Sequence, residues 1–183
     1  VDRTMTAAGS RMLDARLAAP LCDLGAIVAR QDLVSWFIEN ETTMTAMRDK
    51  LRALPDMQRA VTRLTMGHGG PRDLAALETG WRIAETVVGL IRQTQMSQTQ
   101  MKTGAKVLDA TLPARMEALL EMLVAPLALA DKLAPALADE LPFLARDGGF
   151  VRVGYDQGLD DVRQLRDESR RLMAALQARY ATE

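Results

Sequence analysis

The residue types that most often carry out chemistry are scarce in this sequence: it has one histidine, His68, and one cysteine, Cys22. A zinc site built around so few soft ligands would need several carboxylates at ligand spacing, and no such cluster is present. A Ser/His/Asp arrangement would have to use His68, yet no Gly-x-Ser-x-Gly elbow supplies a nucleophile. A phosphate-binding loop needs Gly-x-x-x-x-Gly-Lys-Ser/Thr, in which backbone amides and a lysine cradle the phosphates. Gly67-His68-Gly69-Gly70 is the nearest run. It lacks the lysine and the preceding apolar strand, and it reads as a turn that carries a loop histidine. The sequence therefore assigns no catalytic, cofactor-binding or metal-binding residue.

The charged residues give the same answer. Asp139, Glu140, Asp160 and Asp161 are the nearest thing to paired acids. Adjacent acids on a helix point to different faces, so they form no dyad and read as solvated surface. Arg163, Arg166 and Arg170 follow one helical face and could touch phosphate. They are interleaved with Asp160, Asp167 and Glu168, the pattern of a solvated, ion-paired face. Trp36 and Trp81 fall within helical patterns and read as core; a base-stacking role would place them beside basic residues. No residue is assigned to DNA contact.

The chain has 183 residues, enough for one domain with a buried core. Its 48% hydrophobic and 26% charged content excludes disorder. Leu, Ala and Met dominate while aromatics make up 4%, a balance that favours helix over sheet. A net charge of −1 argues against a DNA-gripping surface, since phosphate neutralisation supplies most of such affinity. A lone cysteine permits no internal disulfide and points to a reducing, cytoplasmic compartment. No apolar run approaches 18 residues, so no membrane span is expected. Val1-Asp2-Arg3-Thr4 carries no signal-peptide pattern.

The elements are helices. Thr6 caps a first helix that Pro20 ends, and Asp23 caps a second running to about Asn40. Met44, Met47, Leu51 and Leu54 form a stripe at steps of three and four. Pro55-Asp56 breaks and restarts the chain. Pro71 suits a first helical turn and Asp73 its positive end. The seam that follows is Leu74, Leu77, Trp81, Ala84, Val88 and Ile91. Residues 93–104 are Gln-, Thr- and Ser-rich and read as a surface connection or a loosely held helix extension. Pro126, Pro135 and Pro142 divide the next stretch into shorter helices. Arg146-Asp147-Gly148-Gly149 is a turn, and at most a short strand follows at 150–153. Asp156 caps a last helix, roughly 36 Å long at about 1.5 Å per residue if unbroken from 157 to 180. Its pattern stops at Glu183 without a cap, as in a helix cut from a longer chain.

Five motifs in order resemble one family. Thr4-Met5-Thr6-Ala7-Ala8-Gly9-Ser10-Arg11-Met12-Leu13, then Leu17-Ala18-Ala19-Pro20-Leu21, resembles the opening of the MutS core domain. Ile27 to Val34 is similar to its Ile-x-x-Arg-x-Asp-x-Val. Leu54-Pro55-Asp56-Met57-Gln58-Arg59, with Arg63-Leu64 and Gly67, resembles its Asp-(Leu/Met)-x-Arg helix. Gly70-Pro71-Arg72-Asp73-Leu74 is similar to its Pro-Arg-Asp-Leu turn. Asp147-Gly148-Gly149-Phe150-Val151 and Gly154-Tyr155-Asp156, with Leu159-Asp160 and Leu165-Arg166, resemble its approach to the lever helix. Arg16 stands where the family often has Trp, Ala8 where it often has Met, and residues 93–111 match no family motif.

The resemblance implies an all-α fold: a multi-helix core bundle at 1–155 and the start of an outgoing lever helix at 156–183. It implies a structural and allosteric role in a DNA mismatch repair sensor, linking an ATPase to a DNA clamp. In the family the mismatch-reading, clamp and ATPase parts lie outside this region, and none of their signature residues is present. This stretch is then not itself an enzyme and holds no cofactor. ATP and Mg²⁺ belong to the full-length relatives, as do DNA binding and a homodimer. The alternatives are a free-standing helical protein–protein interaction module, which would have a capped last helix and no exposed seam, and a small hydrolase, which would need a nucleophile–base pair. A truncated core would leave Leu159 to Leu176 exposed and prone to self-association.

Overall fold

The computed structural model describes residues 2–101 and 112–180. Helices α1 (Ala7–Ala18), α2 (Leu24–Glu39), α3 (Glu41–Arg52), α4 (Met57–Thr65), α5 (Pro71–Met101), α6 (Ala114–Met122), α7 (Leu127–Ala136) and α8 (Gln157–Tyr180) follow one another along the chain. The fold is all-α. The expected strand at 150–153 is reduced to a single antiparallel bridge between Leu137 and Val151.

The helix starts follow from short polar side chains that satisfy otherwise orphaned amides. Thr6 Oγ1 accepts from the Gly9 amide at 2.9 Å, and Asp23 Oδ1 from the Ala26 amide at 2.7 Å. Asp56 Oδ1 accepts from the Arg59 amide and Asp156 Oδ1 from the Leu159 amide. At the start of α5 the Asp73 carboxylate reaches back to the Gly70 amide at 2.9 Å, the return half of a capping box.

Helix α5 is the axis of the body. It packs against α3, α4 and α7, while α2 packs against α3 and α6. Because α5 is surrounded on several sides, its buried residues exceed one seam: Leu77, Val87 and Ile91 are buried, and Trp81 only half so. The main cluster joins Trp36 of α2, Val87 and Ile91 of α5, Leu112, and Met116 and Leu120 of α6. Leu33, Phe37, Met47, Leu51, Ile83 and Val88 close around it. Ala60 on α4 and Ala130 on α7 are fully buried, small residues on two of the helices packed against α5.

The polar tract after Ile91 continues α5 as far as Met101. It is held by side-chain hydrogen bonds: Thr94 pairs with Thr43 at 2.7 Å, and Gln98 donates to Asn40 at 2.6 Å. Of the two expectations for 93–104, the helical extension is therefore correct up to Met101; the remainder lies outside the described residues.

Helices α1, α3 and α8 contain no buried residue, and α2 buries only Trp36. Leu24, Val28, Val34 and Ile38, which recur at near-helical spacing along α2, stay exposed. No helix among the described residues is long and apolar enough to cross a membrane.

Candidate functional site

The most built features among the described residues are the ties between helices and the base of α8. The first tie is Arg11 on α1, whose guanidinium grips Asp56 with two hydrogen bonds of 2.9 Å. A bidentate pair of this kind fixes orientation as well as distance. Arg11 holds the Asp56 carboxyl below its ordinary range, with the Arg59 amide assisting. The second tie joins α4 to α5: Arg63 donates to buried Asp73 and lowers its pKa. The third joins α5 to the segment after α7. Arg72 donates to the Leu141 carbonyl at 3.0 Å and lies 4.0 Å over the Phe143 ring. Gly70 leaves room for that segment, since a Cβ there would come within 2.8 Å of the Phe143 carbonyl oxygen. Arg82 to Asp131 and Arg92 to Glu117 tie α5 to α7 and α6. Arg11, Asp56, Arg63, Arg72 and Asp73 all lie in the motifs read from the sequence, so those motifs encode helix-to-helix fastening.

The base of α8 is stitched from backbone and two carboxylates. After α7 the chain passes a 3-10 turn at Ala145–Asp147 and then Gly148 and Gly149, both at positive φ. It returns beside the end of α7. The Ala138 amide donates to Phe150 O at 2.9 Å and the Arg152 amide to Ala136 O at 2.7 Å. Arg152 pairs with Asp139 at 2.9 Å, which lowers that carboxyl's pKa. Gly154, at φ +86°, then turns the chain into α8. Its amide donates to Asp160 Oδ2 at 2.6 Å. Arg163 donates through Nη1 to Asp160 and through Nη2 to the Val151 carbonyl, each at 2.9 Å.

Above Arg163 the pairs Arg166–Asp167 and Gln164–Glu168 stay within α8. Val162, Leu165, Leu172, Met173, Leu176 and Tyr180 are exposed. The helix is thus fixed at its first turns and presents apolar side chains along its length.

The residues singled out in the sequence fall as follows. His68 is exposed in the turn after α4, with its amide bonded to Arg63 O at 2.9 Å. Cys22 is exposed. Asp139 is exposed, as its reading as surface expects, and pairs with Arg152; Asp160 departs from that reading, being largely covered and bound to Arg163. Asp161 accepts from Gln157, and Glu140 is exposed. Trp36 is core. Arg163 leaves the solvated stripe to which its spacing assigns it and becomes the anchor. No group of three or more potential metal ligands occurs among the described residues.

A family model described as MutS domain III matches residues 1–183. The DNA mismatch repair protein MutS of Rhodopseudomonas palustris (strain BisB5) is 47% identical over 183 residues, which is all of this chain and 18% of that protein. The proteins of the same name from strains HaA2 and BisB18 are 45% and 44% identical, again over the whole chain and 19% of their length. The chain thus spans less than a fifth of the relatives it matches.

Proposed function

The chain belongs to the MutS domain III family, and from this we propose that it forms the helical core and outgoing lever of a DNA mismatch repair sensor. Residues 1–155 act as the body and 156–183 as the start of the lever. The body takes up motion from an ATPase, and the lever carries it to a DNA clamp, both supplied by other parts of a longer cytoplasmic polypeptide that works as a homodimer. ATP and Mg²⁺ act in the ATPase part, and residues 1–183 contribute no catalytic group.

The observation that carries this reading is the mounting of α8. Its base is bonded to the body through Arg163, Asp160 and Gly154, while its 24 residues include no buried one. Packed helices move as rigid bodies, so a small rotation at such a base becomes a larger displacement at the tip. The cross-ties from Arg11, Arg63 and Arg72 support the same reading, because they let the body turn as a unit. A free-standing interaction module would cover its last helix, and the exposed side chains from Val162 to Tyr180 speak against it.

Titration of this chain with fluorescent homoduplex and mismatched DNA, at low and moderate salt, tests the reading. A core and lever whose DNA-reading parts lie elsewhere gives no binding, or weak binding that salt abolishes. Tight or mismatch-selective binding would place a recognition surface within these residues and contradict it.

A further inference from the structure

Arg16 and Arg30, from two helices, share a recess, and among the described residues neither forms an ion pair with an acid. Arg16 on α1 and Arg30 on α2 line one recess of about 260 Å³, whose other walls include Pro20, Leu21, Ile27 and Val34. Arg115, in the first turn of α6, is close enough to Arg16 to repel it electrostatically, as is Arg30. Desolvation first, and then these two like charges, push the Arg16 pKa below its ordinary value. The Arg30 Nε–H is buried and has no hydrogen-bond partner. An unsatisfied buried donor on a charged group carries the full cost of its desolvation, and in folded proteins such groups are nearly always paired. Elsewhere in this chain Arg11, Arg63, Arg82, Arg92, Arg152 and Arg163 each hold a carboxylate. Among the described residues no ion pair reaches Arg16, Arg30 or Arg115, and the Arg30 Nε–H lacks even a carbonyl partner of the kind that Arg48 and Arg72 have.

We propose that the recess formed by Arg16, Arg30 and Pro20, with Arg115 beside it, is a docking seat for the carboxylate of an Asp or Glu side chain carried by a polypeptide segment outside residues 1–183. Arg16 and Arg30 line the same small recess, which suits a single anion; a DNA strand presents a line of phosphates and is held by an extended basic surface. The walls are mostly apolar, with Gln31 among them, the setting in which a guanidinium and a carboxylate pair at a protein interface. Asp14, Asp23 and Asp32 are exposed on the same helices and at their cap, and they would repel a phosphate backbone. A source for the segment is at hand, since relatives matched over all of this chain are more than five times its length.

The test uses the natural polypeptide that carries residues 1–183, with Arg16→Lys or Arg115→Lys, treated with a zero-length carbodiimide and mapped by mass spectrometry. The expected result is an amide cross-link from position 16 or 115 to an Asp or Glu outside residues 1–183, obtained without DNA and abolished in the Arg30→Gln background. Cross-links only to acids within the chain, such as Asp14 or Asp23, or none in either variant, overturn the proposal. So does a fall in DNA affinity in Arg30→Gln without a cross-link, which assigns the seat to phosphate. The second lysine variant covers the case in which the first fails to fold. None of these outcomes depends on whether α8 acts as a lever.

Discussion

Arg163 Nη2 donates to the Val151 carbonyl at 2.9 Å, twelve residues back along the chain, while its Nη1 holds Asp160 on its own helix. One side chain thereby locks the first two turns of α8 to the segment that pairs with the end of α7. Asp160 in turn receives the Gly154 amide, so helix, turn and loop share a single network.

Replacing Arg163 with Met keeps the alkyl stem and removes both donors. The Asp160 carboxylate then loses its positioning partner, and the Gly154 amide loses a well-aimed acceptor. Hydrogen exchange at Gly154 is expected to accelerate severalfold, with little change in the amides of α5. Equal protection at Gly154 in both proteins would mean that Arg163 does not hold the base.

Gly154 itself sits at φ +86°, a region that side chains avoid. Gly154→Ala is expected to cost about 1–2 kcal/mol, measured as a lower urea midpoint at unchanged slope.

Asp73 is buried, caps its own helix start through the Gly70 amide and binds Arg63. Asp73→Ala is expected to destabilise the fold by about 2 kcal/mol, as for the loss of hydrogen bonds to a charged group. Trp36→Ala removes the largest side chain of the main cluster and is expected to cost about 3–5 kcal/mol. Equilibrium denaturation reads both.

The acid limb follows from the same ties. Asp73 and Asp56 have folded pKa values below the ordinary 3.8, held down chiefly by Arg63 and Arg11. A depressed folded pKa gives stability that is fully present above the unfolded value and is lost as pH falls through the folded one. Stability is therefore expected to hold at neutral pH and to erode below about pH 4–5, continuing past 3.8. Asp73→Asn lowers stability at neutral pH and flattens the slope of the urea midpoint across that acid range. An unaltered slope in the variant would remove Asp73 from the account.

Local chemistry made much of this fold legible. Thr6, Asp23 and Asp156 each cap the helix that the sequence assigns to them, and Asp56, read only as a break and restart, caps α4, because a cap acts within three residues. Long-range pairing is different. Arg11 and Asp56 lie 45 residues apart, and nothing in either segment names the other. The family motifs flag both residues without saying that they touch. The α5 extension is obscured because hydrogen bonds with Thr43 and to Asn40, rather than an apolar seam, hold it. Helical spacing on α8 puts Arg163 in a solvated stripe, and only the path of the preceding loop brings Val151 within its reach. Arg16, Arg30 and Arg115 share no motif, so their convergence appears only in the folded chain.

The lever account is tested most directly in the full-length polypeptide by inserting a proline beside Leu165, just above the Arg163 anchor, and following clamp position on DNA as nucleotide is exchanged. A proline there breaks the helix between base and tip. The account predicts that nucleotide binding persists while nucleotide-dependent sliding on DNA is lost. Sliding that responds to nucleotide as in the unmodified protein would contradict it.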